Sequence, residues 1–356
     1  MKVALISTNI LSTPPEDYGG LELVVALLAR GLVERGHDVT VFAKKGSHVD
    51  GATIRELRGA NDLESYKEYA PELAEFDVVH THGWLKAEYF WKRGHPDARI
   101  MATHHGMQPP SATPPSPKPC WVGISKSQAF IFEESWSVHV PHVYNGIDVE
   151  SYPFRERKED YVLFLSRMMP AKGAHVAAWL AERTGTRVLI AGGSFGDTNY
   201  PGYVDAVKKM CEESKGHAEW VGVVSHEKKK ELLAGARALL SPLITHARWP
   251  AYGDSFWWEP FGLHLVEALA CGTPVLTTYN GATPEIVEDG LQGWLCPGLR
   301  DLEAKMTDLG RGPTILHSPT VIAQELRSHA EHLFSYGAMT EGYLELYERL
   351  RSGQEW

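Results

Sequence analysis

Short runs rich in Val, Ile and Leu recur along this chain between amphipathic segments of helical period, and no other feature limits the fold as much. In the first half they are Val3–Ser7, Val39–Phe42, Val78–His82, Ile100–His104 and Val138–Val143. Strands alternating with helices in this way are the signature of parallel α/β units. The rhythm stops at the turn Tyr144-Asn145-Gly146-Ile147-Asp148 and the charged stretch Arg155–Asp160, which reads as an interdomain linker. It restarts with Tyr161–Ser166, Val188–Ala191, Trp220–Val224, Ala238–Leu243 and Pro274–Thr278. A length of 356 residues also suits two domains. The expectation is two Rossmann-like, doubly wound domains, 1–155 and 156–335. A closing helix over 336–356 follows, with Met339, Tyr343, Leu346, Tyr347 and Leu350 on one stripe. That stripe needs an apolar partner, so the helix either ends the second core or crosses back to the first domain.

Composition narrows the function. The 35 Lys and Arg stand against 45 Asp and Glu, a net charge of -10 shared by both halves, which disfavours nucleic-acid binding. Cys120, Cys211, Cys271 and Cys296 lie far apart with no CxxC pair, as suits a reducing compartment. No apolar run approaches the length needed to span a bilayer, and the opening MKVALIST leads straight into a strand pattern. A cytoplasmic enzyme without an integral membrane segment is expected.

The densest motif runs from Glu259 to Val275, Glu259-Pro260-Phe261-Gly262-Leu263-His264-Leu265-Val266-Glu267 and then Ala268-Leu269-Ala270-Cys271-Gly272-Thr273-Pro274-Val275. Pro260 marks a helix start and Gly272-Thr273-Pro274 a helix end. Glu259 then sits in the entry turn and Glu267 within the helix, about 12 Å apart at ~1.5 Å per residue. Between them lie free backbone N–H groups, which attract phosphate through hydrogen bonds and the helix dipole. One helix end can hold hydroxyl, diphosphate and hydroxyl in sequence. Arg167 and Lys172 follow the first strand of the second half, where doubly wound sheets bind ligands, and their charges would stabilise a departing diphosphate.

The whole string resembles the donor-binding signature of retaining family 4 glycosyltransferases of the GT-B fold, whose two domains face a cleft. Other strings agree in order: Tyr18-Gly19-Gly20-Leu21-Glu22, Arg35-Gly36-His37-Asp38-Val39, Thr103-His104-His105-Gly106, Asn145-Gly146-Ile147-Asp148, Ser166-Arg167 through Lys172-Gly173, and Gly281 to Val287. The resemblance implies transfer of a sugar from a nucleotide-sugar to an acceptor hydroxyl with retention and without a metal cofactor. It places Glu259 on the donor sugar and Glu267 on the ribose. Arg167, Lys172 and the N–H groups near Phe261, Gly262 and Leu263 would hold the diphosphate, and the leaving phosphate would deprotonate the acceptor. His105 matches a position approaching the donor sugar, with His104 as the ambiguous neighbour. Base, sugar, acceptor and oligomeric state stay open.

Gly19 and Gly20 follow the first strand and precede a helix, where a turn without side chains lets the backbone approach the donor. Neither this pair nor Gly192-Gly193-Ser194-Phe195-Gly196 forms GxGxxG, so a nicotinamide dehydrogenase is disfavoured. His80, His82, His104 and His105 lack carboxylate or thiolate partners in sequence, and HExxH is absent, so no metal site is expected. Two loops break the rhythm: Gln108–Pro119 with six prolines and the aromatic run Trp249–Trp258, both candidate acceptor walls. A nucleotide-sugar epimerase or a non-catalytic nucleotide-sugar-binding protein would share the architecture. The first needs further acid/base carboxylates, which the sequence does not reveal.

Overall fold

The computed structural model describes residues 1–16, 19–59, 62–83, 99–107, 120–194, 200–249, 253–310, 319–354 and 356. Gln108–Pro119, Tyr18 and Tyr252 lie outside them. The chain forms two compact units, Met1–Asp148 with Leu333–Trp356, and Val149–His332. These divisions fall ahead of the expected 155/156 and 335/336. The charged stretch read as a linker packs within the second unit. Its Lys158 ammonium donates to the carbonyls of Ala234 and Cys271, both at 3.0 Å, and to the Thr273 hydroxyl at 2.8 Å.

The first unit is built on six parallel strands: β1 (Lys2–Ile6), β2 (Asp38–Lys44), β3 (Thr53–Leu57), β4 (Val78–Thr81), β5 (Ile100–Thr103) and β6 (Cys120–Val122). Their order is β3-β2-β1-β4-β5-β6, with Val3 beside both Val39 and Val78. Val3, Ala4 and Leu5 are fully buried, as a central strand covered on both faces requires. The winding reverses between β1 and β4, so the loops leaving their carboxyl ends open the crevice where such sheets bind ligands. Those loops lead to Gly19 and to His82. Val138–Val143, expected as a strand, is not one. Pro141 lacks an N–H, and the segment makes only a bridge to Gly123, whose carbonyl accepts from the Val143 N–H at 2.9 Å. The sixth place in the sheet goes to Cys120–Val122.

The closing helix, Tyr336–Arg351, belongs to the first unit and packs on the helix Gly20–Glu34. The Ser335 hydroxyl accepts the Ala338 N–H at 3.2 Å and caps it. Met339, Tyr343, Leu346, Tyr347 and Leu350 are all buried.

The second unit repeats the scheme with β7 (Val162–Leu165), β8 (Val188–Ala191), β9 (Ala218–Gly222), β10 (Leu239–Ser241), β13 (Val275–Thr278) and β14 (Gly293–Cys296). The order β14-β13-β10-β7-β8-β9 is again parallel and reverses between β7 and β10. An antiparallel hairpin, β11 (His246–Trp249) and β12 (Gly253–Phe256), interrupts the pattern ahead of the dense motif. Phe164, Ile190, Tyr203, Leu240, Leu276 and Leu302 form the core beneath the helices. The doubly wound α/β class expected from the sequence is the one observed.

Candidate functional site

In the second unit the motif helix spans Leu263–Ala270, beginning later than Pro260 suggested. Gly262 caps it at φ 99°, a left-handed conformation that disfavours a side chain, and the Leu265 N–H reaches the Gly262 carbonyl at 2.9 Å. The regular rise per residue therefore applies only from Leu263 onward, and Glu259 stands on the non-helical turn before it. Asn280 fixes that turn. Its Oδ1 accepts the Glu259 N–H at 2.7 Å, and its amide donates to the Trp257 carbonyl and the Thr245 hydroxyl, both at 3.1 Å. The Ala282 N–H donates to the Glu259 carbonyl at 2.9 Å. The string after β13 thus serves to hold Glu259.

The Glu259 carboxylate is buried against Lys172, which lies in the short turn Pro170–Lys172 beyond the carboxyl end of β7. The Lys172 ammonium donates to Glu259 Oε2, and the Trp257 indole N–H donates to the same oxygen at 3.3 Å. Lys172 Nζ also lies 4.2 Å from the Trp257 ring centroid, with the Arg167 guanidinium at 5.5 Å. Burial pushes the Glu259 carboxyl up, but the Lys172 ammonium, His264 and the hydrogen bonds from Lys172 and Trp257 together hold the group below the ordinary carboxylate value. Trp257, which the sequence reading sets in a candidate acceptor wall, forms one cluster with Arg167, Lys172 and Glu259.

Glu267, one further stretch along the same helix, repeats the arrangement. Its Oε1 accepts from Lys229 Nζ at 2.6 Å and from the Tyr152 hydroxyl at 2.8 Å. Burial raises and Lys229 lowers its pKa, and the balance falls below the ordinary value. Each carboxylate therefore has one oxygen occupied by a lysine and a neutral donor. Among the described residues no group donates to Glu259 Oε1 or Glu267 Oε2. Between them His264 is half-buried, pushed down to about 4 by desolvation, and its Nε2 is 3.0 Å from the Ser241 hydroxyl. It is a neutral hydrogen-bonding imidazole.

In the first unit Gly19 precedes the helix that starts at Gly20. A Cβ on Gly19 would lie 2.9 Å from Glu22 Oε2, Leu11 Cδ1 and Pro15 Cβ, so the backbone there tolerates no side chain. Glu22 is buried and accepts from the Thr8 hydroxyl. At the ends of β4 and β5, His82 Nδ1 meets His105 Nε2 at 3.0 Å, while His80 bonds the Tyr347 hydroxyl at 2.7 Å and the Thr103 hydroxyl at 2.8 Å. His104 turns the other way, its ring 5.5 Å from Phe132 in the core. Burial holds His80, His82 and His105 well below the ordinary histidine value, so they are neutral. Among the described residues no three His, Cys, Asp or Glu side chains converge as a metal-binding set.

The sequence reading missed Lys229, Tyr152, His264 and Asn280. Lys229 sits in the run Lys228-Lys229-Lys230, which looks like any solvated helix face, and Tyr152 lies over a hundred positions before its partner. Only Asn280 had a signal, being next to the quoted Gly281 string.

Similarity to known proteins agrees with this geometry. The family model described as Glycosyltransferase Family 4 matches residues 18–158, and that described as Glycosyl transferases group 1 matches residues 150–313, so the two run without a gap. The D-inositol 3-phosphate glycosyltransferase of Mycobacterium marinum is 25% identical over 98% of this chain and 85% of its own. Among solved structures, AviGT4, a glycosyltransferase involved in avilamycin A biosynthesis, superposes with TM-score 0.76 at 28% identity over 100% of this chain and 99% of its own. HepE of Anabaena, solved in complex with UDP and glucose, gives TM-score 0.74 at 16% identity over 98% of this chain and 99% of its own, a likeness of fold. No described helix is long and apolar enough to cross a membrane. From the dense motif, the paired doubly wound sheets and these matches together, the chain belongs to the glycosyltransferases of the GT-B fold.

Proposed function

We propose that this protein transfers a sugar from a nucleoside diphosphate sugar to an acceptor hydroxyl with retention of anomeric configuration, as a cytoplasmic family 4 hexosyltransferase. The observation that carries the reading is the pair of half-occupied carboxylates, Glu259 and Glu267, flanking one helix start. Each offers one open oxygen to a hydroxyl, and the N–H groups around Phe261, Gly262 and Leu263 lie between them for a diphosphate. The UDP and glucose held by HepE, a protein of the same fold, support a donor of this class.

In this reading Glu259 binds the donor sugar and Glu267 the ribose. Arg167 and Lys172 take up the negative charge that grows on the diphosphate as the bond from C1 breaks. The bonding pair leaves with the diphosphate oxygen, the acceptor oxygen bonds C1 on the same face, and its proton passes to the leaving phosphate. Lys172 is already paired with Glu259, so donor binding must share or divide that pair. Gly19, Gly20 and His105 of the first unit are assigned to the donor by the resemblance, and His82 Nδ1 at 3.0 Å from His105 Nε2 steadies that imidazole. The buried thiols agree with a reducing compartment.

A screen of nucleotide-sugars for thermal stabilisation and slow hydrolysis identifies the donor. Proton NMR of the released or transferred sugar then reads the anomer as it forms. Retention with turnover unchanged by exhaustive chelation is expected. An inverted first product overturns retention, and loss of activity restored by one divalent ion overturns the metal-free mechanism.

A further inference from the structure

The three lysines of the helix His226–Gly235 divide by partner. Lys228 pairs with Glu231 at 3.0 Å and Lys230 with Glu227 at 3.2 Å, local contacts between near neighbours on the helix. Lys230 also lies 5.5 Å from the Tyr152 ring centroid, but of the three it is Lys229 that pairs with a carboxylate outside the helix, Glu267 Oε1 at 2.6 Å, with its side chain 19% exposed. The same oxygen also accepts the Tyr152 hydroxyl, whose residue is held by the Arg327 guanidinium on its carbonyl at 3.0 Å.

The chemistry of this cluster is complementary on its open side. An ammonium has three N–H donors and no acceptor, and one donor of Lys229 is committed to Glu267. Glu267 Oε2 is an acceptor with no donor among the described residues. A charged donor and a charged acceptor bonded to one another thus present a donor beside an acceptor. That pattern suits two adjacent hydroxyls, one donating a hydrogen bond to the carboxylate and the other accepting one from the ammonium. A single hydroxyl satisfies only half of it.

We infer that Lys229 is a specificity-determining residue that grips, with Glu267, both hydroxyls of the ribose 2′,3′-diol and so selects ribonucleoside over deoxyribonucleoside diphosphates. The inference rests on the reading that Glu267 takes the ribose. A site built to hydrogen-bond a hydroxyl discriminates against the analogue lacking it because a buried charged group is then left unpaired. Loss of one such bond corresponds to about tenfold to a hundredfold in affinity.

The test is calorimetric binding of UDP, GDP and ADP, each against its 2′-deoxy and 3′-deoxy counterparts, using the base the wild type binds tightest. Wild type is expected to prefer the ribose form at least about tenfold at both positions. Lys229→Met should reduce the preference at one hydroxyl to about threefold or less and keep it at the other, while Glu267→Gln weakens the ribose form itself. Lys229→Leu, which likewise offers no N–H to either Glu267 or a hydroxyl, should behave as Lys229→Met and serves if the latter does not fold. Full preference in both Lys229 variants, with preference lost in Glu267→Gln, overturns the inference and leaves the ribose reading intact. No preference in the wild type, with Glu267→Gln binding as wild type, overturns both, as does failure of all three diphosphates to bind.

Discussion

The two units bury polar groups in opposite ways. The first hides His80, His82, Thr103, Tyr343 and Tyr347, with His105 half-buried beside them, as a neutral network of hydroxyls and imidazoles without a carboxylate, in which His82 Nε2 has no partner among the described residues. The second hides full charges, Lys172 with Glu259 and Lys229 with Glu267. Neutral groups need only a hydrogen bond to be buried, whereas a buried charge needs a counter-charge and leaves a large penalty when that partner goes. The charged unit, to which the proposed function assigns the diphosphate, is therefore the one most exposed to damage by a single substitution.

Breaking one half of a charge pair should have the largest effect. Glu259→Leu strands the Lys172 ammonium and is expected to cost about 3–5 kcal/mol of stability, while Lys172→Met combined with Glu259→Leu should recover much of the loss. Chemical denaturation of the two singles and the double measures this, and a double no more stable than Glu259→Leu would contradict the pairing argument. Activity should be lost in all three.

The neutral network should yield less. His80→Phe leaves the Tyr347 and Thr103 hydroxyls with one partner fewer each and is expected to cost about 1–3 kcal/mol. Adding Tyr347→Phe should offset part of that, since it removes an orphaned hydroxyl. A cost in His80→Phe equal to that in Glu259→Leu would erase the distinction between the units.

Acid sharpens the comparison. His80, His82 and His105 are held below 6.5 in the fold, so below that pH the unfolded chain binds more protons and stability falls as pH drops. Glu259 and Glu267 are held below 4.5, so their contribution is present above 4.5 and is lost only as pH falls further. Each buried histidine steepens the limb below 6.5 by up to about 1.4 kcal/mol per pH unit. Urea midpoints measured from pH 7 downward should show a shallower limb in His82→Phe, and an unchanged slope would contradict the burial of a neutral imidazole.

Trp257→Phe should give the smallest effect. It keeps a ring over Lys172 but removes the N–H on Glu259, a loss of about 0.5–1.5 kcal/mol, read as roughly twofold to tenfold weaker donor binding. Weaker acceptor use with unchanged donor affinity would restore Trp257 to an acceptor wall.

Strands dense in branched apolar residues were legible at once: Val188–Ala191 is β8 residue for residue. Edge strands were not. Thr53–Leu57 carries Arg55 and Glu56 on a half-solvated rim, and Gly293–Cys296 has no branched run, so neither stands out from a loop. Conversely Val138–Val143 has the composition of a strand but a proline where the ladder needs an N–H. The apolar stripe of the closing helix was equally plain, because helical period is a local property, while its place in the first unit was open until the fold was known.

The sequence by itself determined the doubly wound class, the place of Glu267 within the motif helix with Glu259 in the turn leading to it, and the placing of Arg167 and Lys172 after the first strand of the second half. These follow from periodicity, spacing and turn residues, which act over a few positions of chain. Only the tertiary structure decided that Lys172 closes on Glu259, that Lys229 rather than its neighbours reaches Glu267, that Trp257 lies over Lys172, and that His104 faces the core while His105 meets His82. Each of those is a pairing between distant positions, set by which strand ends and helix faces the sheet order brings together. Buried charges and dipoles then select the partner that satisfies them, and no local pattern in the chain records that choice.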